Sequence, residues 1–270
     1  MDFLKQMAER SRERVSAAKR KCSHTEMIER AGRSPDPPGL KLGGKGFDLI
    51  AEIKLRSPAS GALNSSDVAI ETRAAAYGSA GAAAVSVLTE PSRFAGSMAQ
   101  LECAVRALAP LRAPAMRKDF LVDPYQIAEA RVAGAGGALV ILRMLPRSEI
   151  EALIDTARLL QMFVLLEAFD ERDIRLAHEL IERTGKDGVL VGVNCRDLTT
   201  LQVVPGRLAQ LAPLLPDDTL RVAESGIATP EDAGNASNAG YDLALVGSAL
   251  MQACDPAMLM REMLAAGAKK

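Results

Sequence analysis

The feature that most constrains the fold of this chain is a repeated alternation between short apolar runs and longer helical segments. After residue 46, runs rich in β-branched or other apolar residues are separated by Ala- and Leu-rich stretches with helical periodicity. Eight such runs occur, at 49–54, 83–88, 114–118, 137–142, 163–167, 189–194, 220–225 and 243–247. Near-continuous apolar strands joined through helices predict a parallel sheet whose outer face is covered.

Eight strand-helix units are the number that a closed barrel requires. We therefore predict an α/β protein with the (β/α)8, or TIM-barrel, fold. An open doubly wound sheet is the structural alternative, but it normally carries a GxGxxG turn after its first strand, and IKLRSPASG (53–61) does not match. Helix-start signals at 65–67, Asp123-Pro124, Asp170-Glu171 and Thr229-Pro230 agree with the alternation.

The first 46 residues precede the alternating pattern. Residues 1–21 are predicted to form a helix that stays attached, because Glu9, Glu13 and the lack of an apolar centre do not fit a secretory signal, and the helical extension runs to about residue 32. Residues 33–46, RSPDPPGLKLGGKG, form a Pro/Gly linker. We predict a single domain in which 1–46 are a helical extension with its linker and 47–270 are the barrel.

Composition excludes several classes of function. The chain carries 33 Lys and Arg against 34 Asp and Glu, a net charge of −1, and has 3% aromatic residues, so a nucleic-acid partner is not expected. No apolar run approaches the ~18 residues that cross a bilayer, so no membrane partner is expected either. Two histidines and four scattered cysteines suggest neither a zinc site nor a disulfide framework. We predict a cytoplasmic protein, a monomer or weak homo-oligomer, that uses no metal or cofactor.

Polar side chains occur where the predicted strands end, which is where barrels of this class place their reactive groups. Five of the eight strand ends carry them: Glu52 and Lys54, Lys118, Glu167, Asn194 and Arg196, and Glu224. Interleaved cations argue against a divalent metal and allow the charges to compensate one another. We also expect the two lysines to lower each other's pKa, as a general acid near neutral pH requires.

Two further patterns point to a phosphorylated small-molecule substrate. Ser225-Gly226 and Gly247-Ser248 follow the last two strands, where this fold usually holds phosphate, although tight turns are the alternative. Asn194 and Arg196 lie two residues apart and suit a carboxylate, unless the arginine only ties a loop to the rim. Phe94 and Phe120 either form walls for an aromatic ring or pack against neighbouring helices.

These strand ends resemble those of the indole-3-glycerol phosphate synthase family. The similarity covers essentially the whole chain and is carried by AEIKLRSPASG (51–61), SVLTEPSRFAGS (86–97), RKDFLVDPYQIAEARVAGA (117–135), LLEAFDERD (165–173), VGVNCRDLTTLQV (191–203), VAESGIATPEDA (222–233) and ALVGSALM (244–251). The resemblance implies a reaction without cofactor or metal on a carboxyphenylamino-deoxyribulose phosphate. The ring carbon attacks the ketone, carbon dioxide leaves, and loss of water gives the indole.

The resemblance also implies a role for each matching residue. Lys118 is similar to the general acid and Glu167 to the general base of the dehydration. Lys54 resembles the second lysine, which protonates the departing hydroxyl, and Glu52 and Glu224 order the lysines. The remaining matches are the polar contacts Asn194 and Arg196, the substrate and phosphate positions Ser57, Ser225, Gly226, Gly247 and Ser248, and the apolar pocket of Phe94, Phe120 and Leu198.

Three alternatives remain open at the level of sequence. The chain could be a paralogue that serves an indole-derived natural product. It could be another phosphosugar isomerase of the barrel class, although such an enzyme would use a Cys or Asp acid-base pair, and Lys54 and Lys118 argue against this. It could also be a barrel that binds a phosphorylated ligand without turnover.

Overall fold

Eight parallel strands close into a barrel in the computed structural model, which describes residues 3–57, 61–62, 69–198 and 200–268. The strands are Asp48–Ile53 (β1), Arg56–Ser57 (β2), Gly61–Ala62 (β3), Ala84–Leu88 (β4), Ala115–Lys118 (β5), Gly137–Ile141 (β6), Phe163–Ala168 (β7), Val189–Asn194 (β8), Leu220–Glu224 (β9) and Leu243–Val246 (β10). The barrel order is β1-β10-β9-β8-β7-β6-β5-β4, and β2 and β3 form a separate antiparallel hairpin. The predicted (β/α)8 fold is confirmed, with each barrel strand within one residue of its predicted ends.

Helices connect the strands and precede the barrel. Their bounds are Phe3–Lys19 (α1), His24–Gly32 (α2), Ile70–Ser79 (α3), Pro91–Phe94 (α4), Met98–Leu108 (α5), Pro124–Val132 (α6), Arg147–Leu159 (α7), Glu171–Thr184 (α8), Arg207–Leu211 (α9), Pro230–Asn238 (α10), Ser248–Gln252 (α11) and Pro256–Gly267 (α12). Single 3-10 turns occupy Ala109–Leu111, Leu142–Met144 and Ala212–Leu214.

Three of the predicted helix starts are capped as their sequences indicate. The side chains of Asp123, Asp170 and Thr229 accept hydrogen bonds from backbone N–H groups in the first turns of α6, α8 and α10. Such caps satisfy donors that a helix cannot satisfy itself. The fourth predicted start, at 65–67, lies outside the described residues.

The apolar side chains divide between two sides of the sheet because successive residues of a strand face opposite ways. One set fills the barrel interior and includes Ile50, Met116, Leu139, Leu165 and Leu190. The other set faces outward, packs beneath the helices and forms the larger buried cluster. The filled interior blocks the barrel below its carboxyl end, so the chemistry is confined to the rim.

The N-terminal extension contains two helices, and the first of them, α1, falls within the helix predicted for residues 1–21. The break falls at residues 20–23, where Ser23 leaves helical geometry and its side chain caps α2 by accepting a hydrogen bond from the Glu26 N–H. Leu4 and Met7 of α1 pack with the barrel-interior cluster, which places α1 at the mouth, whereas α2 packs against α6. Among the described residues, no helix has the length and apolar character needed to cross a membrane.

The barrel-interior cluster yields a stability prediction. Leu165 is fully buried, and Leu165→Ala should lower the free energy of unfolding by about 2–5 kcal/mol, because the barrel cannot collapse around the cavity it leaves. Leu159→Ala is the matched control, since Leu159 at the end of α7 is 71% exposed and its truncation should cost less than about 0.5 kcal/mol. Denaturant unfolding measures both values, and equal losses would contradict the assignment of Leu165 to the core.

Candidate active site

A cavity of about 270 Å³ opens at the carboxyl ends of the barrel strands. This volume is near the lower end of the range for small-molecule pockets, about 300–1,000 Å³. Its lining contains every predicted site residue except Ser57: Glu52, Lys54, Phe94, Lys118, Phe120, Glu167, Asn194, Arg196, Leu198, Glu224, Ser225, Gly226, Gly247 and Ser248. Ser57 ends β2, and its side chain lies outside the described part of the structure.

The Lys118 ammonium lies among three carboxylates at the centre of this cavity. Its Nζ atom is 3.2 Å from Glu167 Oε2, 3.3 Å from Glu224 Oε2 and 4.0 Å from Glu52 Oε2. The three glutamates come from β7, β9 and β1, and each is at most 3% exposed. A buried carboxylate is costly without a partner, and the Lys118 ammonium is a shared partner for carboxylates on three separate strands.

The expectation that the two lysines lower each other's pKa is wrong for Lys118. Burial acts to lower the pKa of Lys118, but the charges of Glu167, Glu224 and Glu52 outweigh burial and raise it above its ordinary value. The carboxylates are closer to Lys118 than the sequence alone could show. Lys118 is therefore a charged proton donor throughout the neutral range.

Lys54 pairs with a different oxygen of the same glutamate. Its Nζ lies 2.6 Å from Glu52 Oε1, so Glu52 stands between the two lysines. Burial acts to raise the pKa of Glu52, yet Lys54, Lys118 and Arg196 together lower it below its ordinary value. Glu52 is consequently ionised and fixes the relative positions of both ammonium groups.

The pKa of Glu224 shifts in the opposite direction to that of Glu52. Burial and the negative charge of Glu167 raise the pKa of Glu224 well above its ordinary value, against the opposing effect of Lys118. Its Oε1 atom is buried and has no hydrogen-bond partner among the described residues. The neighbouring carboxylate therefore adds to burial in disfavouring the charged form of Glu224.

Two glycines make room for these carboxylates: Gly192 in β8 and Gly247, which directly follows β10. A Cβ atom at Gly192 would overlap the Glu224 carboxylate, and one at Gly247 would overlap the Glu52 carboxylate and crowd Lys54 Nζ. The prediction treated Gly247 only as a phosphate-side residue. The structure shows a second reason for glycine at this position, because a residue without a side chain leaves space for the Glu52–Lys54 pair.

One side of the cavity is formed by the backbone that follows β9 and β10. Ser225 and Gly226 both adopt positive φ, 67° and 75°, which is costly for a serine and turns the chain sharply over the cavity. Cys195 supports this turn from below, since its Sγ donates a hydrogen bond to the Ser225 carbonyl over 3.0 Å. Gly247 and Ser248 line the same side, so both predicted Gly-Ser pairs face one cavity.

Arg196 makes the loop contact that one of its two sequence readings describes, and carboxylate binding stays a prediction. It lines the cavity, and it also ties the loop after β8 to the rim by donating from Nη1 to the Leu201 carbonyl over 2.7 Å. Asn194 accepts from the Arg196 N–H over 2.9 Å and donates from Nδ2 to Glu167 Oε1 over 3.3 Å. Asn194 therefore connects the loop to the charged cluster.

The apolar side of the cavity is an aromatic wall of Phe3, Phe94 and Phe120. Phe120 lies between the other two, with ring centroids 5.7 Å from Phe3 and 6.2 Å from Phe94. Phe94 and Phe120 thus line the cavity, as one of the two sequence readings held. Phe3 was missed because it belongs to α1, and nothing near it in the sequence indicates contact with a residue more than 100 positions away.

The ammonium of Lys118 occupies the space between the carboxylates that a divalent cation would need. In the described ranges, no group of three or more histidine, cysteine, aspartate and glutamate side chains is arranged to hold a metal ion. The carboxylate cluster is thus built around an internal cation.

Comparison with known proteins agrees with the geometry. The family model for indole-3-glycerol phosphate synthase matches residues 4–263. Relatives of that name include one from Parafrankia sp., 39% identical over 99% of this chain and 97% of its own length. Another, from Kineococcus radiotolerans, is 40% identical over 95% of this chain and 93% of its own length.

Solved structures support the fold alone. A 3-hexulose-6-phosphate synthase superposes with a TM-score of 0.60 and 18% identity, over 81% of this chain and 99% of that one. Thiamine phosphate pyrophosphorylase from Pyrococcus furiosus gives a TM-score of 0.57 and 17% identity, over 82% and 96%. The full-length family match and the level of identity to the two relatives lead to a single conclusion: this chain belongs to the indole-3-glycerol phosphate synthase family of carboxy-lyases in tryptophan biosynthesis.

Proposed function

We propose that the rim cavity carries out the family's reaction with Lys118 as general acid and Glu167 as general base. The substrate is 1-(2-carboxyphenylamino)-1-deoxyribulose 5-phosphate, and the products are indole-3-glycerol phosphate, carbon dioxide and water. The observation that carries the proposal is the 3.2 Å contact between Lys118 Nζ and Glu167 Oε2 inside a cavity that also has an aromatic wall. A proton donor and a proton acceptor therefore meet where an aromatic substrate fits.

In the first step, the carboxylate-bearing ring carbon attacks the ketone carbon. The C–O double bond becomes a single bond, and Lys118 gives its proton to the oxygen, so that a hydroxyl forms. Lys118 is suited to this step because it is charged before the reaction, and the developing alkoxide accepts its proton. The C–C bond to the carboxylate then breaks, carbon dioxide leaves, and its electron pair restores the aromatic ring.

In the second step, the new hydroxyl leaves as water. Lys54, whose ammonium is held by Glu52 at 2.6 Å, gives the proton to this hydroxyl. Glu167 removes a proton from the carbon next to the nitrogen, and the pair of electrons from that C–H bond forms the double bond of the indole. Asn194 orients Glu167 through the hydrogen bond from Nδ2 to Oε1.

The two sides of the cavity orient the substrate. The aromatic wall receives the anthranilate ring, with Leu198 beside it and Arg196 available to the ring carboxylate. The backbone around Gly226, Gly247 and Ser248 holds the phosphate at the opposite side, with Ser225 and Ser57 as further substrate contacts. This orientation brings the ketone between the two lysines.

We also propose that the protein acts in the cytoplasm as a monomer or weak homo-oligomer, with residues 1–46 as an extension of a single barrel domain. The four cysteines are unpaired, which suits a reducing compartment. The large apolar side chains exposed in the described part of the chain belong to different elements of the fold, at Leu42, Leu159, Val203, Leu214 and Met258.

Lys118→Ala tests the general acid. It should lower kcat by at least about 10²-fold, while binding of the product stays within about tenfold, because the variant loses a contact that matters most in the transition state. Indole fluorescence after mixing with the substrate measures turnover. Lys186→Ala is the control, since Lys186 precedes β8 at the opposite end of the barrel and pairs with an exposed Asp218. Turnover by Lys118→Ala at the control rate would reject the assignment.

Glu167→Gln tests the general base. Glutamine keeps the size of the side chain and can keep one of its two acceptor contacts, but it cannot act as a base, so kcat should fall by about 10²–10⁴-fold. Glu179→Gln on the exposed face of α8 is the matched control and should retain full activity. Single-turnover measurements should show carbon dioxide released before indole appears, and an unchanged rate of indole formation would exclude the role of Glu167.

The raised pKa of Glu224 gives a prediction for stability against pH. The folded protein keeps this proton at pH values where the unfolded chain, with a glutamate pKa of about 4.3, has lost it. The contribution of Glu224 to the free energy of unfolding is therefore present at low pH. It declines as pH rises from the pKa of the unfolded chain through the raised pKa of the folded protein. The free energy of unfolding of the wild type minus that of Glu224→Gln should fall as pH rises from about 4. A difference that is constant, or that grows with pH, would contradict the raised pKa.

A further inference from the structure

Arg14 of α1 contacts two buried carboxylates that do not take part in the proposed proton transfers. Its Nη2 donates to Asp119 Oδ1 over 2.7 Å, and its Nη1 lies 3.7 Å from Glu90 Oε1. Both carboxylate side chains are at most 1% exposed, whereas that of Arg14 is 30% exposed. One guanidinium from the N-terminal extension thus joins the chain after β4 to the chain after β5.

Asp119 lies in the sequence between Lys118, the proposed general acid, and Phe120 of the aromatic wall. The oxygen that receives Arg14, Oδ1, also accepts the backbone N–H of Phe120 over 2.8 Å, and the other oxygen accepts from the Thr89 hydroxyl over 2.8 Å. The Asp119 carboxylate therefore fixes the backbone from which the Phe120 ring projects. Arg14 in turn limits how Asp119 can rotate.

The Glu90 carboxylate likewise fixes the backbone that carries the Phe94 ring. Its carboxylate accepts the backbone N–H groups of Ser92, Arg93 and Phe94, at 2.9, 2.6 and 3.3 Å, and so holds the short helix α4 that carries Phe94. Among the ion pairs of the described residues, Arg14 is the cation that faces Glu90. Without it, a fully buried carboxylate would lack a countercharge.

We infer that Arg14 is a positioning residue for the substrate's aromatic ring, acting through Glu90 and Asp119 on Phe94 and Phe120. This inference rests on the proposed function, because it assigns the aromatic wall to the ring of the substrate. The two phenylalanine rings lie 6.2 Å apart and belong to different connections, so their spacing depends on the carboxylates that hold each backbone. Arg14 is the group that contacts both carboxylates.

The effect of Arg14 should appear in KM rather than in kcat. Lys118 has anchors of its own in Glu167, Glu224 and Glu52, none of which contacts Arg14 in the described structure. Loss of Arg14 therefore loosens the wall that binds the ring in both ground and transition states, while the acid and base keep their places. Uniform loss of binding raises KM at nearly constant kcat.

The test compares Arg14→Ala and Arg14→Lys with Arg12→Ala. Arg14→Ala should raise KM by about tenfold or more with kcat within about threefold of the wild type. Arg14→Lys keeps the charge but not the fork that spans two carboxylates, and it should raise KM by about threefold. Arg12 lies on the same helix as Arg14 and forms an exposed ion pair with Glu149 of α7, so Arg12→Ala should leave both constants unchanged.

Chemical rescue separates positioning from general destabilisation. Millimolar guanidinium chloride, far below the molar concentrations that unfold proteins, should lower the KM of Arg14→Ala towards the wild-type value and leave Arg12→Ala unaffected. Competitive inhibition by inorganic phosphate should be the same in the wild type and in Arg14→Ala, because Gly226 follows β9, which lies across the barrel from β5 and the Asp119 that follows it.

An unchanged KM in Arg14→Ala, or no response to guanidinium, would overturn the role of Arg14. If Arg14→Ala does not fold, the test uses Arg14→Lys alone. A wild-type KM and a wild-type melting temperature for Arg14→Lys would then overturn the role of Arg14. Absence of turnover by the wild type would instead overturn the proposed function, so the two failures are distinguishable.

Discussion

The structure of the site depends on one electrostatic constraint: the Lys118 ammonium lies among three buried carboxylates, those of Glu52, Glu167 and Glu224. The three glutamates come from strands that are far apart in sequence and meet only when the barrel closes. Each carboxylate taken alone would cost several kcal/mol to bury. Closure of the barrel and assembly of the charge cluster are therefore one event.

The cluster shifts the pKa values of similar side chains in opposite directions. Lys54, Lys118 and Arg196 lower the pKa of Glu52 against the effect of burial, whereas burial and the charge of Glu167 raise the pKa of Glu224. Gly192 and Gly247 permit this packing because a side chain at either position would displace a carboxylate. The same environment makes one rim able to donate and to accept protons, as a closure followed by a dehydration requires.

Much of this account is predictable from the sequence because it depends on periodicity and on local signals. The strand ends follow from the limits of apolar runs, and Asp123, Asp170 and Thr229 are capping residues at the expected places. Fourteen of the fifteen predicted site residues line one cavity, since strand ends of a parallel barrel converge. The direction of the Lys118 pKa shift was not predictable, because it depends on distances between β5 and three other strands. Phe3 and Arg14 were missed for a related reason: their partners, Phe120 and Asp119, lie more than 100 positions along the chain.

The most direct measurement of the central claim is a crystal structure of the protein with indole-3-glycerol phosphate bound. The account predicts the indole ring against Phe94 and Phe120, the phosphate at the backbone of Gly226 and Ser248, and the Lys118 ammonium and Glu167 carboxylate both in contact with the carbons and hydroxyls near the new ring. A product molecule bound outside this cavity, or a Lys118 side chain directed away from it, would contradict the account.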